Sequence, residues 1–201
     1  MLTFLIFFPV LGAVVIATLP RGQERQAKLM ALAVTGAVFV ISLVVFGLFD
    51  RGEEGLQFTE RFRWIRAEEA GFDIQYFLGV DGLGLTMVIL TTFLFVVATL
   101  VSWNIELRPK EYFAWLLALE TGVLGVFTAQ DLILFFLFWE VELLPMYFLI
   151  SIWGSGRKEY SAMKFVLFTI AGSALMLVGF LALAFAGLLI AGGLAFLLKP
   201  L

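Results

Sequence analysis

Glu140 and Glu142 lie in the middle of an apolar run, Leu132–Ile152, that is long enough to cross a bilayer. A carboxylate at bilayer depth costs roughly 2.5–3.5 kcal/mol on insertion scales, so membrane chains that keep one generally use it. A carboxyl group there can hold, pass or sense a proton. Two residues along a helix is about 200° around its axis, so the two acids cannot share one site. Pro145 follows in the same run. It has no N–H and leaves the Val141 carbonyl without its helical partner, which predicts a kink that admits water beside a carboxyl group. The bland alternative is a pair of protonated glutamates making helix–helix hydrogen bonds.

Two further residues join this set. Glu120 is central to the run Tyr112–Thr128, and the short link Ala129-Gln130-Asp131 makes that helix an antiparallel neighbour of the next. Glu120 and Glu140 should then lie at similar depth on touching helices. Glu120 either faces Glu140 or bonds to a Thr or Tyr across the interface. Lys164 enters near the start of the following run. It either reaches toward Glu140 through water or snorkels to the interface.

The elements that must position these groups are membrane helices. Of the 201 residues, 62% are hydrophobic and only 14% charged. The mean hydropathy is +1.05. That composition predicts an all-α, polytopic membrane bundle in a single membrane domain, residues 1–201. Six runs define its helices: Leu2–Leu19, Leu29–Phe49, Leu83–Trp103, Tyr112–Thr128, Leu132–Ile152 and Ala162–Ala186. The first lacks a basic n-region and reads as a retained helix. Gly187–Leu198 is too short to span. It extends the sixth helix, lies at the interface or begins another element, before Lys199-Pro200-Leu201.

With no Cys and no His, disulfides, thiolate chemistry and imidazole metal ligation are excluded. A net charge of -3 offers no basic surface for nucleic acid. The 23 Phe read as lipid-facing and packing surface. No nucleotide-binding glycine loop, metal-ligand spacing or nucleophile elbow is present.

Basic residues concentrate in alternate connections: Arg21, Arg25 and Lys28; Arg108 and Lys110; Arg157, Lys158 and nearby Lys164. These connections should be cytoplasmic and the N-terminus outside. The outer segment Asp50–Gly82 carries Arg51, Arg61, Arg63 and Arg66 among a larger number of acids. Within it, apolar Leu56, Phe58, Phe62 and Trp64 alternate with polar residues, as do Phe72, Ile74 and Tyr76. This predicts a β-hairpin over 56–77, with an irregular polar loop as the alternative. Gly79-Val80-Asp81-Gly82 should break the backbone and cap the third helix.

The segment FFLFWEVELLPMYFLISIWG, followed by YSAMKFVLFTIAGSALMLVG, resembles the antiporter-like membrane subunits of proton-pumping NADH:quinone oxidoreductase, complex I. Its nearest likeness is to the subunit M, or chain 4, branch. GVDGLGLTMVILTTF and GVFTAQDLILFF fit the same branch, and the resemblance runs to about Gly179. It implies a proton half-channel in which Glu140 is the family's essential glutamate and Lys164 its sixth-helix lysine. Glu142 matches an acid of the plastid-like branch. It also implies that the chain binds no redox cofactor, with quinone, NADH, flavin and iron–sulfur chemistry held by partner subunits. The expected partners are other complex I membrane subunits and the lipid bilayer, with no nucleic acid. The expected location is a bacterial plasma membrane, with thylakoid and mitochondrial inner membranes as alternatives. Family members are more than twice this length, with two inverted repeats. The chain therefore reads as an N-terminal portion of such a subunit. Two other functions stay open: a non-catalytic fragment, and a subunit of a multisubunit cation/proton antiporter.

Overall fold

The computed structural model describes residues 1–20, 22–52, 55–67 and 72–197. Arg21 and residues 53–54, 68–71 and 198–201 lie outside the described residues. Six helices form as expected: α1 (Leu2–Thr18), α2 (Glu24–Leu48), α3 (Gly82–Val101), α4 (Pro109–Thr128), α5 (Leu132–Trp153) and α6 (Lys158–Leu197). Strands β1 (Gln57–Ala67) and β2 (Phe72–Val80) pair antiparallel between α2 and α3.

Three of the helices begin several residues earlier than their apolar runs. α2 starts at Glu24 instead of Leu29, α4 at Pro109 instead of Tyr112, and α6 at Lys158 instead of Ala162. Hydropathy marks the stretch that meets lipid, whereas a helix can continue into the interface on charged residues whose stems lie along it. Proline suits the first position of α4 because it has no N–H to leave unpaired. At its other end α6 runs past Ala186 to Leu197, so Gly187–Leu197 extends the sixth helix.

α4 occupies the middle of the bundle, packed on α1, α2, α3 and α5. From Tyr112 to Thr128 none of its residues is exposed. This explains its composition: a helix surrounded by protein needs no lipid-compatible surface. By length and apolarity α2, α3, α5 and the Lys158–Gly187 part of α6 qualify as membrane spans on their own. Two small residues set the spacing between α4 and α5. A Cβ on Gly122 would come within 2.9 Å of the Glu142 Cβ, and one on Gly125 would fall inside the Phe138 ring. Small residues let helix backbones approach closely inside membranes. α6 packs along α5 and leaves much of its apolar surface, including Leu167, Phe168, Leu175 and Val178, exposed.

The hairpin caps one end of the bundle. β2 continues through Gly79 and Val80, where a backbone break was expected, because Leu78 and Val80 are fully buried against the helices. Asp81 alone ends the strand and caps α3, accepting from the Gly84 amide at 2.6 Å. The α4–α5 link is stitched to β2: the Gln130 amide donates to the Phe77 carbonyl at 2.9 Å, and the Gln130 side chain donates to Gly79. Asp131 caps α5 through the Ile133 and Leu134 amides, and its second oxygen accepts from the Gln75 amide. On β1, Glu60 accepts from the N-terminal ammonium and from the Thr3 amide and hydroxyl, while Thr3 also bonds the Tyr76 hydroxyl.

The environment of Glu60 generates a pH dependence. Partial burial pushes its carboxyl up, but the N-terminal ammonium and the Thr3 donors outweigh that and hold it below the ordinary 4.5. Tyr76 is raised, chiefly by burial and further by the Glu60 charge, and stays neutral. A lowered carboxyl stabilises the fold above its unfolded value and loses that contribution as pH falls through the folded one. Wild type should therefore resist chemical denaturation better than Glu60→Gln at neutral pH, and the gap should close below about pH 4. A gap that is constant over that range would mean the contact does not titrate.

Candidate functional site

The site residues are held by α4, α5 and α6. Glu120 is fully buried, and neither of its carboxylate oxygens has a hydrogen-bond partner among the described residues. Its direction follows from the helix that carries it. Gly122 and Gly125 face α5. Glu120 lies nearly opposite them, on the side of Phe113, Leu116 and Leu117. That side packs with Ala13 and Ile16 of α1 and Ala27 and Ala31 of α2. Glu120 thus points into the α1–α2–α3 side of α4.

On α5 the roles of the two acids separate as their spacing requires. Glu142 is half-buried and faces α4, its Cβ against Gly122. Glu140 is turned about 200° from Glu142 and so faces away from α4. It is half-buried, with one carboxylate oxygen buried and without a partner. Glu120 and Glu140 therefore do not face each other. The Gly122–Glu142 and Gly125–Phe138 contacts also fix the antiparallel register. They place Glu120 level with Leu143 and Leu144, about 5 Å from the height of Glu140. Three carboxyl groups on two touching helices occupy three different surroundings.

Lys164 is exposed on α6, with its ammonium 5.8 Å from the centre of the Phe168 ring. Because α6 starts at Lys158, Lys164 sits about 9 Å along the helix. Glu140 is about 20 Å from the corresponding end of α5. Among the described residues no ion pair joins the two. Pro145 is buried inside α5, and the helix continues through it to Trp153. Sequence reasoning passed over Asp131 as a cap, although an Asp directly before an apolar run is a recognised start signal. It also passed over Gly122 and Gly125, which are three residues apart, share one helix face and leave room there for a close neighbour.

Apolar helices with carboxyl groups buried among them define an integral membrane helix bundle. Residues 129–191 match the domain described as "NADH:quinone oxidoreductase/Mrp antiporter, TM", which includes Glu140, Glu142, Pro145 and Lys164 and extends past Gly179. The chain is 41% identical over 187 residues to NADH-quinone oxidoreductase subunit M of Rhodobacter capsulatus, covering 91% of this chain and 35% of the relative. It is 42% identical to NAD(P)H-quinone oxidoreductase chain 4 1 of Synechococcus elongatus, covering 92% of this chain and 34% of the relative. In fold it resembles a chain of respiratory complex I from Thermus thermophilus with bound NADH, with a TM-score of 0.71 at 23% identity over 89% of this chain and 34% of that one. A chain of the membrane-bound sulfane sulfur reductase, an archaeal respiratory membrane complex, superposes with a TM-score of 0.66 at 19% identity, covering 87% of this chain and 26% of that one. The chain belongs to the subunit M, or chain 4, family of antiporter-like membrane proteins. It spans about a third of the length of the curated relatives it matches.

The isolation of Glu120 has an energetic consequence. A buried polar group without a partner destabilises by about 1–3 kcal/mol. Glu120→Leu, of similar volume, should raise the thermal midpoint in detergent. A fall would reveal that Glu120 is bonded in the folded protein.

Proposed function

We propose that this chain is part of a proton-translocating membrane subunit of a respiratory or photosynthetic NADH/quinone oxidoreductase, in which quinone reduction is coupled to proton movement. The observation that supports this most is the similarity to subunit M and chain 4 proteins across nine-tenths of the chain, at 41% and 42% identity. In this reading residues 1–201 form one membrane domain, and redox chemistry with quinone, NADH, flavin and iron–sulfur clusters belongs to other subunits. The partners are the complex's other membrane subunits and the bilayer. The same domain description names Mrp antiporters, which supports a second reading as a cation/proton antiporter subunit. The subunit M relatives favour the first.

Glu140 is the residue proposed to carry the proton. It sits near the middle of α5, turned away from the tight α4 contact, with a buried oxygen that no donor among the described residues satisfies. A carboxyl group in that state gains a partner whenever water or a cation reaches it, and so can exchange a proton with a path on that side. Pro145 supplies the break in hydrogen bonding that gives water a foothold near Glu140. Glu142 is packed against Gly122 and has less room to respond. Lys164 is proposed to shift the charge balance near Glu140 through water, and Glu120 to serve the separate inner surface of α4.

In the assembled complex, Glu140→Gln should lower proton pumping by at least ~10-fold with assembly intact on native gels, and Glu142→Gln should do less. Inverted vesicles with a pH-sensitive dye measure this. Full pumping by Glu140→Gln would remove its role. The proposed orientation, with the N-terminus outside a bacterial plasma membrane, puts the α5–α6 link in the cytoplasm. A Ser155→Cys variant should react with an impermeant maleimide only from that face, and labelling confined to the outer face would reverse the topology.

A further inference from the structure

A cleft of about 710 Å³ opens at the end of the bundle opposite the hairpin, between α1, the α1–α2 link and the start of α4. Small-molecule sites run from about 300 to 1,000 Å³. Its inner wall is built from Ala13 and Ala17 of α1 and Ala114 and Ala118 of α4, with the Trp115 ring beside them. Trp115 is held in place by stacking on Phe148, ring centroids 4.5 Å apart. Among the described residues the rim carries charges of both signs, Arg108 and Lys110 with Glu24 and Glu111.

The cleft thus changes character along its length. Its mouth lies where helices end: α1 stops at Thr18, α2 begins at Glu24 and α4 at Pro109. The Lys110 ammonium donates to the Leu19 carbonyl and ties these ends together. Ala17 lies in the last turn of α1, whereas Ala13, Ala114 and Ala118 lie between about one and three turns inside their helices, at a depth where a bilayer presents acyl chains. The rim charges are not consumed by one another. Arg108 and Glu111 approach only to 3.5 Å, with both side chains more than half exposed, a pairing worth little.

A soluble anion would use the rim and leave the apolar wall empty. A purely apolar ligand would leave the rim unmatched. A phospholipid meets both, and the rim discriminates among headgroups. An anionic glycerol head would set its phosphate near Arg108 and Lys110 but offer Glu24 and Glu111 only neutral hydroxyl donors, with no cation to match their charge. A choline head has no N–H to donate to those carboxylates. An ethanolamine head carries a phosphate for the basic pair and a primary ammonium for the acidic pair, with charge-assisted hydrogen bonds at both ends.

We infer that this cleft is a binding site for one zwitterionic phospholipid with a primary ammonium head, a phosphatidylethanolamine. The acyl chain runs along the Ala13–Ala17 and Ala114–Ala118 wall, and the headgroup bridges Arg108 and Lys110 to Glu24 and Glu111. The lipid fills a gap between α1 and α4 that no side chain among the described residues closes, at the end of α4 away from the hairpin.

The test is native mass spectrometry of the full chain, delipidated in a non-ionic detergent. It is titrated with phosphatidylethanolamine, phosphatidylcholine or phosphatidylglycerol of identical acyl chains, with and without inorganic phosphate. The first lipid bound should be phosphatidylethanolamine, about tenfold tighter than the other two, and inorganic phosphate should not displace it. Glu24→Gln combined with Glu111→Gln should bring phosphatidylethanolamine down to the phosphatidylcholine level. Arg108→Gln combined with Lys110→Gln should weaken all three. Arg157→Gln, exposed on the same end outside the cleft, should change none. Equal binding of the three lipids, a preference for phosphatidylglycerol, or displacement by phosphate would overturn the assignment. The wild-type comparison needs no variant, so it decides the matter even where a double substitution fails to fold.

Discussion

Everything in this bundle is arranged around the enclosure of α4. A helix carrying a carboxyl group at mid-span has no stable place against lipid, where an unsatisfied polar group has neither water nor donors. Here the helix packs on α1, α2, α3 and α5, and Glu120 is removed from lipid completely. The enclosure requires close backbone approach, and Gly122 and Gly125 provide it by giving Glu142 and Phe138 somewhere to pack. It also fixes the register of α5. With α5 set in this way, Glu142 must face α4 and Glu140 must face elsewhere. The separation of the three acids is thus a consequence of two missing side chains.

The hairpin has a related duty at the end of the bundle. Helix ends leave backbone donors and acceptors without partners. The α4–α5 link satisfies part of its need from β2, through Gln130, while Asp131 serves α5 and the hairpin together. Glu60 then joins β1 to the first turn of α1. The hairpin is therefore bonded to both the first and the fifth helices, although the chain connects it directly only to the second and third.

How much of this could be read beforehand depended on the range of the interaction. Helix number was legible because each apolar run must be long enough for the bilayer, and the hairpin because β1 and β2 alternate. Helix starts were not, because Glu24, Pro109 and Lys158 continue helices on residues that hydropathy rejects. The 200° between Glu140 and Glu142 is a property of one helix and was available at once. Which neighbour each acid faces belongs to two helices, and only Gly122 and Gly125 carried that information. The Glu60–Thr3–Tyr76 cluster joins residues far apart in the chain through ordinary surface types, and nothing in their spacing announced it.

The length of α6 has a consequence for the surrounding lipid. Forty residues make a rod of about 60 Å, twice the hydrocarbon thickness of about 30 Å. A straight rod of that length would need a tilt of about 60° to stay within the hydrocarbon, outside the roughly 0–40° that membrane helices adopt. The mismatch must be relieved by bending, by a locally thickened bilayer or by part of the helix leaving the lipid. Gly187 and the Gly192-Gly193 pair are the points of least resistance to bending. Bilayer thickness thereby becomes a force on the helix that packs against Glu140's own helix, so lipids of different chain length would load this side of the bundle differently.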